Sequence, residues 1–157
     1  MMFITHLLFS LMIGLLLLRF DVLSFIGTIN EMIFFFMVVI GGVISDLDQP
    51  RSKVGKELGI FSKIINFSLG HRGFVHSIIF GLVISALFYL LNTAAAAGFL
   101  IGFLGHVLLD SMTKEGIVLF RPICHIRIKG ICHTGGLLES IGVVFLYVFL
   151  VFLMVGY

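Results

Sequence analysis

Five apolar runs divide this chain, and nothing else constrains its fold as strongly. They cover about 3–18, 32–45, 75–91, 94–109 and 137–155. A helix that spans a bilayer needs roughly 20 apolar residues, with about 17 as a lower bound. Each run therefore reads as a transmembrane segment or close to one. Composition agrees: 60% of the 157 residues are hydrophobic, 11% are charged, and the mean hydropathy is +1.23. A soluble globule of this size has no interior large enough for so much Leu, Ile, Val and Phe. The expected fold is all-α, a polytopic membrane bundle of about five transmembrane helices forming a single domain over residues 1–157. The first run resembles a signal peptide in its apolar stretch. It lacks a basic leader and a small-x-small cleavage site and carries His6, so a retained helix is expected.

Two longer polar stretches, 46–72 and 110–136, hold nine of the ten Lys and Arg residues. The first connection has only Arg19 and the Asn92-Thr93 hairpin has none. Basic loops stay in the cytoplasm. Both long loops are thus expected inside, with the N-terminus cytoplasmic and the C-terminus outside, in an inner (cytoplasmic) membrane. Within the loops, 59–67 reads as a short amphipathic piece at the interface, and the alternation of 126–130 as a small strand or hairpin. The net charge of +2 is too small to argue for nucleic acid, and no basic stripe among aromatics appears, so no nucleic-acid partner is expected. Cys124 and Cys132 are too few for a disulfide framework; a metal pair and two stray thiols both fit.

The same topology sends a set of ionisable residues to one membrane face. His6 starts the first run, Asp46 and Asp48 close the second, and His71 and His76 lead into the third. His106 and Asp110 leave the fourth, and Glu139 opens the fifth. His106 and Asp110 stand at i and i+4, on one face of a helix, a usual way to offer imidazole and carboxylate to one metal ion. His106 sits deep in apolar sequence, where an ionisable group is functional by default. The alternative is a packing histidine beside a capping aspartate. Asp46 and Asp48, fixed ahead of Pro50, suit a divalent cation or the solvated company of Arg51 and Lys53. His71 and His76 are five apart, so a turn at Gly70 and Gly73 has to fold the first back towards the second. Arg72 suits an anionic substrate oxygen or a membrane anchor, and Ser77 a helix cap. His6 would be an odd anchor and reads better as a ligand. Glu139 is a ligand, a base or a helix N-terminal acid. His125 and His133 read as bystanders.

These residues also carry a family resemblance. His6 in Thr5-His6-Leu7-Leu8-Phe9-Ser10, the run Asp46-Leu47-Asp48-Gln49-Pro50-Arg51-Ser52, the block His71-Arg72-Gly73-Phe74-Val75-His76-Ser77, and Gly105-His106-Val107-Leu108-Leu109-Asp110 resemble the YdjM-like inner-membrane metal-dependent hydrolases. Thr113, Gly116 and Arg121-Pro122 resemble that family's continuation, so the likeness covers nearly the whole chain. It implies a more distant kinship with the zinc-dependent phospholipase C and P1 nuclease superfamily. That kinship implies an all-helical site for up to three zinc ions, with His6, Asp46, His71, His106 and Asp110 as ligands. The superfamily's His-x-x-x-Glu pair is reduced here to Glu139, with Gly135 in the histidine's place, which points to one or two ions. Some family members are described as binding a transcriptional repressor, a role that no residue here supports.

The expected function is a membrane-embedded, metal-dependent hydrolase. His6, Asp46, His71, His76, His106 and Asp110 would hold a divalent ion, zinc first, that activates water. Asp48 or Glu139 would take the proton, and Arg72 would neutralise charge on a phosphoryl oxygen. Headgroup depth suggests a phospholipid or lipid-linked phosphoester as substrate. The alternative is a non-catalytic membrane protein, either a metal-ion carrier or a scaffold. A carrier would place its ligands near the bilayer midplane.

Overall fold

A computed structural model describes residues 2–20, 28–48 and 74–155. The amphipathic piece expected at 59–67 lies outside the described residues, as do His71 and Arg72.

Each apolar run forms a helix. They are α1 (Phe3–Arg19), α2 (Thr28–Ile44), α3 (Ile78–Tyr89), α4 (Thr93–Ser111) and α5 (Leu137–Val155). Short 3-10 turns, Ser45–Asp48 and Phe74–His76, follow α2 and precede α3. Local chemistry sets two boundaries. The Ser77 hydroxyl accepts the Phe80 amide at 3.1 Å, so α3 starts at Ile78 and not at the head of its apolar run. The Asn92 side chain accepts the Ala95 amide at 3.0 Å and starts α4 after a tight turn.

Length separates the five. Among the described residues, α4 and α5 are long and apolar enough to cross a bilayer, while the other three helices are shorter. With 12 residues, α3 is about 18 Å long, well under the roughly 30 Å of a hydrocarbon core.

The helices alternate in direction. α2 and α4 run parallel and share the most extensive contact, while α1 and α3 pack against α4 antiparallel to it. Close approach of α2 and α4 depends on two glycines one turn apart. A side chain on Gly98 would strike the Phe34 carbonyl, and one on Gly102 the Val38 carbonyl. Small residues at this spacing let helix backbones touch, the main source of helix association where lipid removes the hydrophobic drive. Phe99, Phe103, Val107 and Ile117 form the apolar core beside that seam.

Polarity is distributed inside out. His6, Ser10, His76, Ser77, His106, Asp110 and Glu139 are buried. Phe36, Leu87, Leu90, Phe145 and Phe152 are mostly exposed. Water rewards the opposite arrangement, whereas a lipid surround favours this one.

Between α4 and α5, β1 (Ile117–Val118) pairs antiparallel with β2 (Arg127–Ile128), Ile117 facing Ile128. The small strand expected at 126–130 is therefore present. Its partner β1 is buried under the bundle, and the Leu119 carbonyl holds the first amide of α3, at Ile78, at 2.8 Å.

Candidate metal centre

One register builds the site. Gly98 meets Phe34 and Gly102 meets Val38. One turn further on, His106 Nδ1 lies 2.8 Å from the Gly42 carbonyl oxygen, a partner 64 residues away in sequence, as in the two pairs before it. A carbonyl only accepts, so Nδ1 carries the hydrogen. In the neutral ring Nε2 then presents its lone pair to the interior. A backbone carbonyl that fixes the tautomer of a histidine is a usual outer partner of a metal ligand. The next turn along the same face carries Asp110 on α4, level with Asp46 just past the end of α2.

Asp110 is the hub. His6 Nε2 is 3.3 Å from its Oδ1, His76 Nε2 is 3.5 Å from its Oδ2, and His106 Nε2 is 3.8 Å from Oδ2. The His6 and His106 rings stack with centroids 3.8 Å apart and planes 12° from parallel, and His76 meets His106 edge-on at 5.2 Å. Ligand atoms of His6, His106 and Asp110 all lie within 4.8 Å of one another. Two ligands on a tetrahedral zinc ion, at bond lengths near 2.1 Å, sit about 3.4 Å apart. The contacts of His6 and His76 with Asp110, at 3.3 and 3.5 Å, already have that spacing, and His106 stands slightly wider at 3.8 Å.

Neither ring nitrogen of His6, nor Nε2 of His106, makes a hydrogen bond within the described residues, although both side chains are fully buried. Buried polar atoms are nearly always satisfied, and an orphan calls for an explanation such as an ion. The His106 lone pair aimed at a carboxylate repels it, and a cation between them turns that repulsion into ligation. The residues present therefore fit a divalent metal.

Surrounding polar groups hold the ligands in place. The Ser10 hydroxyl donates to the His6 carbonyl at 2.8 Å, and a side chain on Gly42 would collide with Ser10. The Thr113 hydroxyl donates to the Asp110 carbonyl at 2.7 Å. Asp46 is buried, and burial pushes its carboxyl pKa above the usual range, an effect opposed by His6 and His76 and reinforced by Asp110.

Of the residues expected to act together, the fold assembles His6, His76, His106 and Asp110, with Asp46 in their electrostatic reach. His71 and Arg72 lie outside the described residues, and so does the side chain of Asp48. Glu139 has a different set of neighbours. Its Oε1 accepts from the Thr5 hydroxyl at 2.7 Å and from the Met2 amide, and its Oε2 accepts from the Gly135 amide at 2.7 Å. Those bonds fasten the start of α5 to the start of α1. Cys124 and Cys132 are free and half-buried, and His125 and His133 are exposed; none belongs to the cluster. Sequence reasoning missed Gly42, whose contribution is a backbone carbonyl, and Ser10. The available signal was the Gly98-x-x-x-Gly102 spacing, which continues in register to His106.

A model of the YdjM inner membrane protein family matches residues 1–157. The protein YvsG of Bacillus subtilis (strain 168), described as uncharacterized, is 32% identical over 105 residues, which cover 65% of this chain and 66% of that protein. Inner membrane protein YdjM of Escherichia coli (strain K12) is 35% identical over 94 residues, 55% of this chain and 47% of its own length. The Shigella flexneri protein of the same name gives the same figures. The matched stretch thus spans about two thirds of the Bacillus protein and about half of the other two. No solved structure matches the chain.

Proposed function

The chain belongs to the YdjM inner membrane protein family, and from that premise we propose that it is a membrane-embedded, metal-dependent hydrolase of phosphoesters. The observation that carries the reading is the locked His106 ring, whose free nitrogen faces Asp110 beside the stacked His6. His6, His106 and Asp110 supply the three ligands usual for a catalytic zinc site, and a catalytic site keeps a further position open. His76, on the Asp110 oxygen that His106 also faces, would serve the same ion or a second one. Those residues would hold a divalent metal, and the chemistry it would supply when bound is Lewis-acid polarisation of a phosphoryl oxygen and a lowered pKa for water.

The chain's own groups do the rest. The Gly42 carbonyl orients His106, and Ser10 steadies the backbone of His6. Asp46, which burial makes a readier proton acceptor than an exposed carboxylate, would take a proton. Asp48 and Arg72 keep the roles that their sequence context suggests, proton acceptor and phosphoryl clamp. Glu139, whose oxygens are already engaged, is assigned the joint between α1 and α5.

In the membrane we place all five helices as spans, the three shorter ones crossing a locally thinned bilayer. The N-terminus and both basic loops then face the cytoplasm. His6, His76, Asp110 and Asp46 stand at or beside helix ends on that side, with His106 one turn deeper, a position near the headgroups that favours a phospholipid or lipid-linked phosphate. A carrier would need its ligands near the midplane and a second exit.

The test is metal analysis of detergent-purified protein, wild type against Asp110→Asn, with a phosphoesterase screen on lipid and soluble substrates. Wild type is expected to carry at least one zinc-type ion per chain and to turn over a lipid phosphoester, and the variant to do neither. Equal, near-zero metal in both proteins overturns the reading.

A further inference from the structure

The connection between α4 and α5 combines two properties that water alone does not favour. Its base is pinned: the Cys132 amide donates to the Met112 carbonyl at 3.0 Å, the Lys114 amide to the Cys132 carbonyl at 2.9 Å, and the Gly130 amide to the Thr113 carbonyl at 2.9 Å. β1 is buried, so the strand beyond it projects outward from a fixed platform. On that projection Ile123, Ile126 and Ile131 are 82%, 71% and 78% exposed. Arg127 and Lys129 are exposed among them. From 112 to 136 the chain carries four Lys and Arg and one acidic residue, Glu115.

A branched apolar side chain left in water forgoes about 1.5–3 kcal/mol of burial. Three on one short, well-anchored loop indicate a surface that receives them. The loop leaves α4 and returns into α5, the two helices long enough to cross a bilayer, so a membrane surface lies beside it. Apolar side chains alternating with cations match an interface in which acyl chains sit under anionic phosphates.

We propose that the loop 120–131 docks onto the anionic bilayer surface. Ile123, Ile126 and Ile131 enter the acyl boundary, and Arg127 and Lys129 meet lipid phosphates. The inference is independent of the metal reading, since it uses no residue of the cluster.

The chain has no tryptophan, so Ile123→Trp introduces a single indole as a depth reporter. The full chain is reconstituted into vesicles of phosphatidylcholine alone or with phosphatidylglycerol, each with and without brominated acyl chains. The expected result is blue-shifted emission that brominated lipid quenches and aqueous iodide does not, with stronger quenching when phosphatidylglycerol is present. Adding Lys129→Gln should lower the phosphatidylglycerol-dependent gain about fivefold, the worth of one cation near an anionic surface. Water-like emission quenched by iodide overturns the proposal. So does blue-shifted emission that neither quencher reaches, which would place the loop against a second copy of the chain. Ile126→Trp repeats the measurement if the first variant does not reconstitute.

Discussion

His106 donates its Nδ1 hydrogen to the Gly42 carbonyl at 2.8 Å, and this contact ties the metal-ligand chemistry to helix packing. The bond extends the register that sets Gly98 against Phe34 and Gly102 against Val38. The seam that joins α2 to α4 therefore also aims the imidazole.

Loss of that ring should empty the site. His106→Ala is expected to lower bound metal more than about tenfold, since even outer partners of a ligand are worth that much. His125→Ala, at an exposed histidine outside the cluster, should leave metal content unchanged. Elemental analysis of both proteins after identical purification makes the comparison.

Crowding the seam should act at a distance. In Gly102→Ala the added methyl meets the Val38 carbonyl, a backbone atom that moves only with its helix. The expected cost is about 1–3 kcal/mol, read as a lower thermal unfolding midpoint in detergent. Metal affinity should fall as well, although no ligand is altered. Unchanged affinity in a destabilised protein would separate the register from the site.

Glu139→Gln tests whether that carboxylate is a joint or a base. Losing charge-assisted bonds to Thr5, Met2 and Gly135 should cost about 1–2 kcal/mol and leave metal content intact. A fully stable variant with abolished turnover would instead return Glu139 to the reaction.

Ser77→Ala removes the hydroxyl that caps α3 and should destabilise the protein by about 1 kcal/mol. Ser77→Thr, which keeps an uncharged hydroxyl at this buried cap, should restore part of that loss. Metal content stays constant in both if the residue serves only the helix.

Much of this was legible in the chain itself. Apolar runs mark helices because a backbone among apolar surroundings has to satisfy its own hydrogen bonds, and all five runs are helical. The i, i+4 pair His106 and Asp110 follows from helical geometry alone. His6 and His76 were suspect because imidazoles are costly in apolar sequence. Lengths were less legible. Hydropathy does not reveal that Ser77 captures the Phe80 amide and shortens α3, because a cap is a local competition between two backbone conformations.

The sequence by itself determined that this is a helical membrane chain with polar side chains of metal-binding type near its helix ends, because hydropathy and residue chemistry are properties of single positions. Tertiary structure alone decided which of those side chains meet. The joining of Glu139 to α1 and the turning of His106 towards Asp110 by a glycine carbonyl depend on helix register. Backbone contact sets that register, and an amide or carbonyl is the same at every position of the chain.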